Sequence, residues 1–176
     1  MTEPPSPTVG AEQTVTVVGA DEQAAVDVDV DRWSGLATRV LEAEGRRGEL
    51  TLTFIERDEM AALNAEHMGK SGPTDVLSFP LDDDTDADAL AGADVPVLLG
   101  DVVICPAVAA EQAADHAGTL DDELALLVVH GILHVLGHDH AEPAETAEMR
   151  AAELAHLERF HWGGPAPTAF RQEHDS

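Results

Sequence analysis

Leu120-Asp-Asp-Glu-Leu-Ala-Leu-Leu-Val-Val-His130-Gly-Ile-Leu-His134-Val-Leu-Gly137-His138-Asp139-His140 is the stretch from which the rest of the chain can be read. Leu124 to Val129 is an almost unbroken apolar run, which predicts a helix buried on most sides and so a rigid platform for whatever it carries. His130 and His134 are four apart. On that helix they stand one turn above each other on the same face, close enough for two imidazoles to hold one metal ion. Gly137 suits the left-handed residue that ends a helix, so the chain can turn back and a later histidine can supply a third ligand. A fourth position left open for water is what separates a catalytic zinc site from a closed structural one.

Scattered helical histidines are usually surface or core residues, and one pair at this spacing would say little. A pair, a glycine three residues on and another histidine three beyond that are hard to explain as packing. The spacing equals that of the zinc-protease pattern H-E-x-x-H-x-x-G-x-x-H, but Gly131 occupies the position of the general-base glutamate. A peptidase therefore lacks its base.

Upstream of the apolar run, Thr119 followed three residues later by Asp122 predicts a capped helix start. Residues 97–104, Val-Leu-Leu-Gly-Asp-Val-Val-Ile, read as a strongly apolar central strand. Pro106 suits the first turn of an Ala-rich helix expected to run to Gly118. Residues 75–80 read as a short strand that Pro80 ends or places at an edge. Residues 48–56 form a strand with Leu50, Leu52 and Phe54 on one face, and Asp58 is expected to cap a helix that ends at Gly69. Farther back, Trp33, Leu36, Ala37, Val40 and Leu41 recur at helical spacing, with Asp31 as N-cap and Gly45 as stop. Residues 14–18 alternate as an edge strand, and residues 26–30 alternate as a strand or an extended lead-in. Downstream, a last helix is expected from about Pro143 to Phe160 among many glutamates.

The pattern predicts an α+β fold in one domain, a small mixed sheet of about four strands packed with about five helices around the metal-bearing helix. Residues 1–12 are read as a disordered leader, 13–162 as the catalytic domain, 82–96 as an acidic surface loop and 163–176 as a loose tail. The Asp-rich loop lacks the glycine and terminal glutamate of an EF-hand. At 176 residues with 44% hydrophobic side chains the chain can bury a proper core. No apolar run reaches membrane-spanning length and the N-terminus lacks a basic, apolar signal, which predicts a cytoplasmic protein with no membrane partner. The single cysteine, Cys105, excludes an internal disulfide and a cysteine-type zinc site.

Acidic residues number 35 against nine basic ones, for a formal charge of -26, and Lys70 is the only lysine. That balance argues against non-specific nucleic-acid binding, or reflects adaptation to a salty interior where repulsion is screened. Arg32, Arg39, Arg46 and Arg47 concentrate four of the nine basic residues in and after the first helix. They form either a local RNA face, with Arg46 and Arg47 as its test positions, or helix-surface charge paired with Glu42, Glu44 and Glu49.

Three segments together carry a resemblance. Residues 130–140 resemble the H-G-x-L-H-L-x-G-Y-D-H signature of the YbeY endoribonucleases, also called ribosomal RNA maturation factors. Residues 73–80, Pro-Thr-Asp-Val-Leu-Ser-Phe-Pro, resemble that family's P-T-[DN]-V-L-S-F-P segment, and residues 99–105 its L-G-D-I-V-I-[SC] strand. The resemblance covers roughly residues 25–160, in the right order and at fitting separations. It implies a cytoplasmic, zinc-dependent, single-strand-specific endoribonuclease with one zinc ion. Such an enzyme acts on a ribosomal RNA precursor in maturation of the small-subunit RNA 3′ end and in ribosome quality control, with the small ribosomal subunit as partner. On the matching positions the zinc ligands are His130, His134 and His140, because His138 falls where the pattern has tyrosine. The family often carries an arginine before P-T-D, in a Y-R-G-K run; here the run is His67-Met68-Gly69-Lys70. Either Lys70 or another cation takes over charge stabilisation, or the enzyme is weaker.

Among the remaining site residues, Asp139 either accepts a hydrogen bond from a ligand imidazole or is a polar residue at the helix end. Asp75 and Ser78 either contact substrate or tie down their turn. The rival reading is a non-catalytic ribosome-assembly factor whose zinc only staples the fold; a zinc hydrolase of another substrate is a third.

Overall fold

The computed structural model describes residues 14–81, 97–138 and 142–172. Four strands, β1 (Val15–Glu22), β2 (Gly48–Ile55), β3 (Val76–Pro80) and β4 (Leu98–Ile104), form one sheet in the order β1-β2-β4-β3. β1, β2 and β4 run parallel, and β3 pairs antiparallel with β4. Five α-helices accompany them among the described residues: α1 (Val30–Ala43), α2 (Arg57–Met68), α3 (Pro106–Gln112), α4 (Leu120–Val135) and α5 (Pro143–Leu157). This is the expected α+β domain with a four-stranded mixed sheet.

The period-two alternation of the strands sorts their side chains onto two faces. Leu50, Leu52 and Phe54 of β2 and Val102 and Ile104 of β4 join Trp33, Val40 and Leu41 of α1 and the apolar side of α4 in the larger core. Ile55, Leu77 and Val103 point the other way, onto Met60 and Leu63 of α2. β4 is central and β1 and β3 are the edges, as the apolar pattern and Pro80 predict.

α4 is the axis of the molecule. Twelve of its sixteen residues are buried, Glu123 to Leu133 and Val135, because β3 and β4 lie on one side and α1, α3 and α5 on the others. Thr119 caps it as expected, its side chain accepting from the Asp122 N–H at 3.1 Å. At the other end the N–H of Gly137 donates to the His134 carbonyl and that of His138 to the Leu133 carbonyl, 3.0 and 2.9 Å, the paired bonds of a Schellman turn. Gly137 sits at φ 104°, which strains any side chain. Gly137→Ala should lower stability by about 1–2 kcal/mol in a denaturant titration.

Gly131 explains how close α4 lies to the sheet. A Cβ on it would stand 2.6 Å from Cγ1 of Val102, and its carbonyl accepts the Ser78 hydroxyl at 3.1 Å. Four residues on, Val135 packs over Gly100. α4 thus runs opposite to β4, and its C-terminal end overlies the start of that strand.

Several local expectations shift. The α1 cap is Asp29, accepting from the Arg32 N–H at 3.2 Å, rather than Asp31, which lies inside the first turn; both alternate with valine, and only the chain path chooses. Residues 26–29 make no strand, so the extended lead-in is what is found. α2 starts at Arg57 with Glu56 at the cap position, placing Asp58 in its first turn, and it ends at left-handed Gly69 as expected. α3 stops at Gln112 and tightens into a 3-10 turn over Ala113–Asp115, short of Gly118. α5 passes into a π turn over Glu158–Trp162. Residues 163–172, expected to be loose, fold back: Phe170 meets Trp162 edge-on with centroids 4.8 Å apart, and the Gln172 amide reaches Glu153 at 3.0 Å. The acidic stretch 82–96 and residues 1–13 lie outside the described residues. No helix among the described residues is long and apolar enough to cross a membrane.

Candidate metal centre

Burial of α4 fixes where its histidines point. His130 is 3% exposed, and its ring meets that of His134 edge-on with centroids 4.5 Å apart. Nδ1 of His130 lies 2.5 Å from Oε2 of Glu153 on α5, itself 2% exposed. With that carboxylate as acceptor, Nδ1 carries the hydrogen and the lone pair resides on Nε2, the tautomer a metal-ligating histidine needs. Oε1 of Glu153 accepts the Gln172 amide, so the carboxylate is itself held in orientation. Two imidazoles one turn apart, one locked by a carboxylate, are a donor set that suits zinc.

Glu153 is the candidate site residue that the sequence did not single out. It sits among Glu145, Glu148 and Glu158 on a helix rich in acid, and its only signal is that it shares the buried face of Met149, His156 and Leu157. Asp139 and His140 lie outside the described residues. Among the described residues no three His, Cys, Asp or Glu side chains gather as a metal-holding group. The structure therefore brings together His130, His134 and a carboxylate partner. Cys105 is buried, and burial pushes its thiol up, so it stays protonated and unsuited to metal or nucleophilic work.

Asp75 and Ser78 both bond within the fold. Asp75 is buried and accepts the Val76 N–H at 2.7 Å and the Gln112 amide at 2.6 Å. The same amide reaches the fully buried Glu123 at 2.8 Å, and Glu123 also takes the Ala117 N–H. This network ties the Pro73-Thr74-Asp75 turn to the first turn of α4, about 10 Å along the helix from His130. Ser78 ties β3 to the histidine-bearing turn through Gly131. Lys70 is exposed just past α2, in a loop held by the Asn64 amide on the Gly72 carbonyl at 2.8 Å. Arg46 and Arg47 precede β2, whose Glu49 pairs with Leu98 of β4, so they lie at the end of the sheet that carries the C-terminal end of α4.

A family model described as Endoribonuclease YbeY matches residues 19–161. The chain belongs to that family. Endoribonuclease YbeY of Salinispora tropica is 46% identical over 138 residues, covering 74% of this chain and 87% of the relative. That of Frankia casuarinae is 48% identical over 139 residues, covering 77% and 69%. The solution structure of TM1509 from Thermotoga maritima superposes with a TM-score of 0.59 at 27% identity, covering 84% of this chain and 89% of that one. The YbeY match spans β1 to the π turn, and so includes both histidines, Glu153 and the turn anchored by Asp75.

Proposed function

We propose that the chain is a zinc-dependent, single-strand-specific endoribonuclease of the cytoplasm. In this reading it matures the 3′ end of small-subunit ribosomal RNA and serves ribosome quality control at the small subunit. The endoribonuclease role rests on the family, whose curated members at about this identity carry that name. One observation carries the zinc: the His130–His134 pair, with Oε2 of the buried Glu153 2.5 Å from Nδ1 of His130. His140, two residues past His138, is the assigned third ligand.

A zinc ion held by these histidines would supply Lewis acidity, lowering the pKa of water towards about 7 and drawing charge from a phosphoryl oxygen. Glu153 keeps His130 in the donor tautomer, and Gln172 keeps Glu153 aimed. The tight α4–β4 contact at Gly131 fixes the height of both imidazoles above the sheet. Lys70 is assigned the phosphate contact, Asp139 a hydrogen bond to a ligand imidazole, and Arg46 and Arg47 the approach of the RNA strand. Met68, 47% exposed where the family often has arginine, is the observation that favours the rival assembly factor with a structural zinc.

The two readings part in one experiment. Rigorously purified protein is given a single-stranded RNA and its duplex form, after zinc has been stripped with a chelator and after it has been restored. Cleavage of the single strand alone, lost on stripping and recovered on restoration, supports the enzyme. Cleavage indifferent to zinc overturns the zinc-dependent mechanism, and absence of cleavage by the zinc-loaded protein leaves the assembly factor.

A further inference from the structure

At the opposite end of α4 from the histidines, α1 and the π turn border an open groove of about 330 Å³ lined by Asp31, Arg32, Gly35, Arg39, Phe160 and His161. In a chain with eight arginines, two line this groove, and a third, Arg159, sits against its Phe160 wall. The Arg32 guanidinium lies 4.5 Å over the Trp33 ring, that of Arg159 lies 4.8 Å over Phe160, and exposed Arg39 joins no ion pair among the described residues. Arg32 does pair with Asp121 at 3.1 Å, but both side chains are largely solvated, at 44% and 62% exposure, so a phosphate can displace that partner. A guanidinium plane is a surface on which a nucleobase stacks, and its N–H groups hold phosphate. His161 is pinned to Asp122 at 2.8 Å, which keeps this wall rigid.

Gly35 supplies an independent observation. It lies inside α1, where glycine loosens a helix, yet a Cβ added there would meet nothing within 4 Å. Packing does not require it. Gly35 is exposed and lines the groove, so a bare Cα there leaves that wall open to close approach of a ligand.

We propose that this groove binds one unpaired nucleotide of single-stranded RNA outside the cut site, with Arg32 and Arg39 on the phosphate and the base over the guanidinium planes. The inference rests on the RNA reading above. The groove is joined to the first turn of α4 through Asp121 and Asp122, and the histidines lie 8 to 13 residues farther along, on the order of 12–20 Å. The groove therefore holds a strand that already extends beyond the metal pair. It favours long substrates over short ones.

Full-length zinc-loaded protein is titrated with a fluorescein-labelled, 2′-O-methyl single-stranded oligonucleotide across a salt series, with the integrity of the strand checked on a gel. Arg39→Glu should weaken binding about tenfold and reduce the salt slope by about one. Gly35→Gln should raise the melting temperature yet weaken binding, an opposition that a merely structural residue does not give. Both should lower the ratio of kcat/KM for long over short substrates. Wild-type affinity in Gly35→Gln, or an unchanged salt slope in Arg39→Glu, overturns the proposal. Uridine monophosphate that displaces the oligonucleotide while short-substrate cleavage continues assigns the groove to free nucleotide and also overturns it. Groove-dependent binding without cleavage would instead remove the enzyme reading and leave the groove standing.

Discussion

His134→Ala should reduce RNA cleavage by more than about 100-fold and remove bound zinc, while the far-ultraviolet circular dichroism and melting temperature stay close to those of the zinc-stripped parent. Loss of a residue that only orients a ligand costs about 10–100-fold in metal affinity or activity, so loss of a ligand must cost more. The fold survives because alanine is the best helix former and His134 lies half-buried in the last turn of α4, away from the core that Leu127, Val128 and Ile132 build. Glu153→Gln belongs beside it as a graded control. The amide oxygen still accepts from Nδ1 of His130 but brings no charge, so zinc affinity should fall about tenfold, less than for the ligand. Equal nuclease activity in parent and His134→Ala preparations would point to a contaminant and remove the catalytic claim. A Glu153→Gln protein with parental zinc affinity would remove the orienting role.

Gly131→Glu restores the zinc-protease pattern in sequence and should destabilise the fold strongly. The new Cβ would stand 2.6 Å from Cγ1 of Val102 and 3.4 Å from Oγ of Ser78, and the carboxylate beyond it would enter the α4–β4 contact. Overpacking a core costs about 1–3 kcal/mol, and burial of a group with no partner adds a comparable amount. Against a total stability of about 5–15 kcal/mol, a loss of about 2–6 kcal/mol removes a large share of the margin. Gly131→Ala should be milder, since the helix gains about 1 kcal/mol in propensity while Val102 must give way. The denaturant midpoints should fall in the order parent, Gly131→Ala, Gly131→Glu, and no peptidase activity should appear. A Gly131→Glu protein as stable as its parent would show that the contact yields easily.

Local chemistry explains what could be read from the residues alone. α4 announced itself because its apolar run, its Thr119 cap and its Gly137 stop all act within a few residues. The His130–His134 pair followed from helical periodicity, and the central place of β4 from apolar residues on both of its faces. Glu153 could not be found that way. Its role is created by α5 crossing α4 at His130, a contact 23 residues distant in sequence. Asp75 and Ser78 were legible as a motif but not as structural ties, because their partners, Gln112 and Gly131, lie 37 and 53 residues away. The folded-back tail escaped for the same reason, since Phe170 and Gln172 in a Gly- and Pro-containing stretch give no periodic signal.

The direction of α4 has an electrostatic consequence. Aligned peptide dipoles leave about half a negative charge at a helix C-terminus, and this is the end that presents His134 and the Gly137 turn. A dication seated there is favoured by the helix itself. A phosphodiester arriving first meets that negative pole and the acidic surface together. On the proposed zinc reading, the order of arrival that follows is metal first, then phosphate.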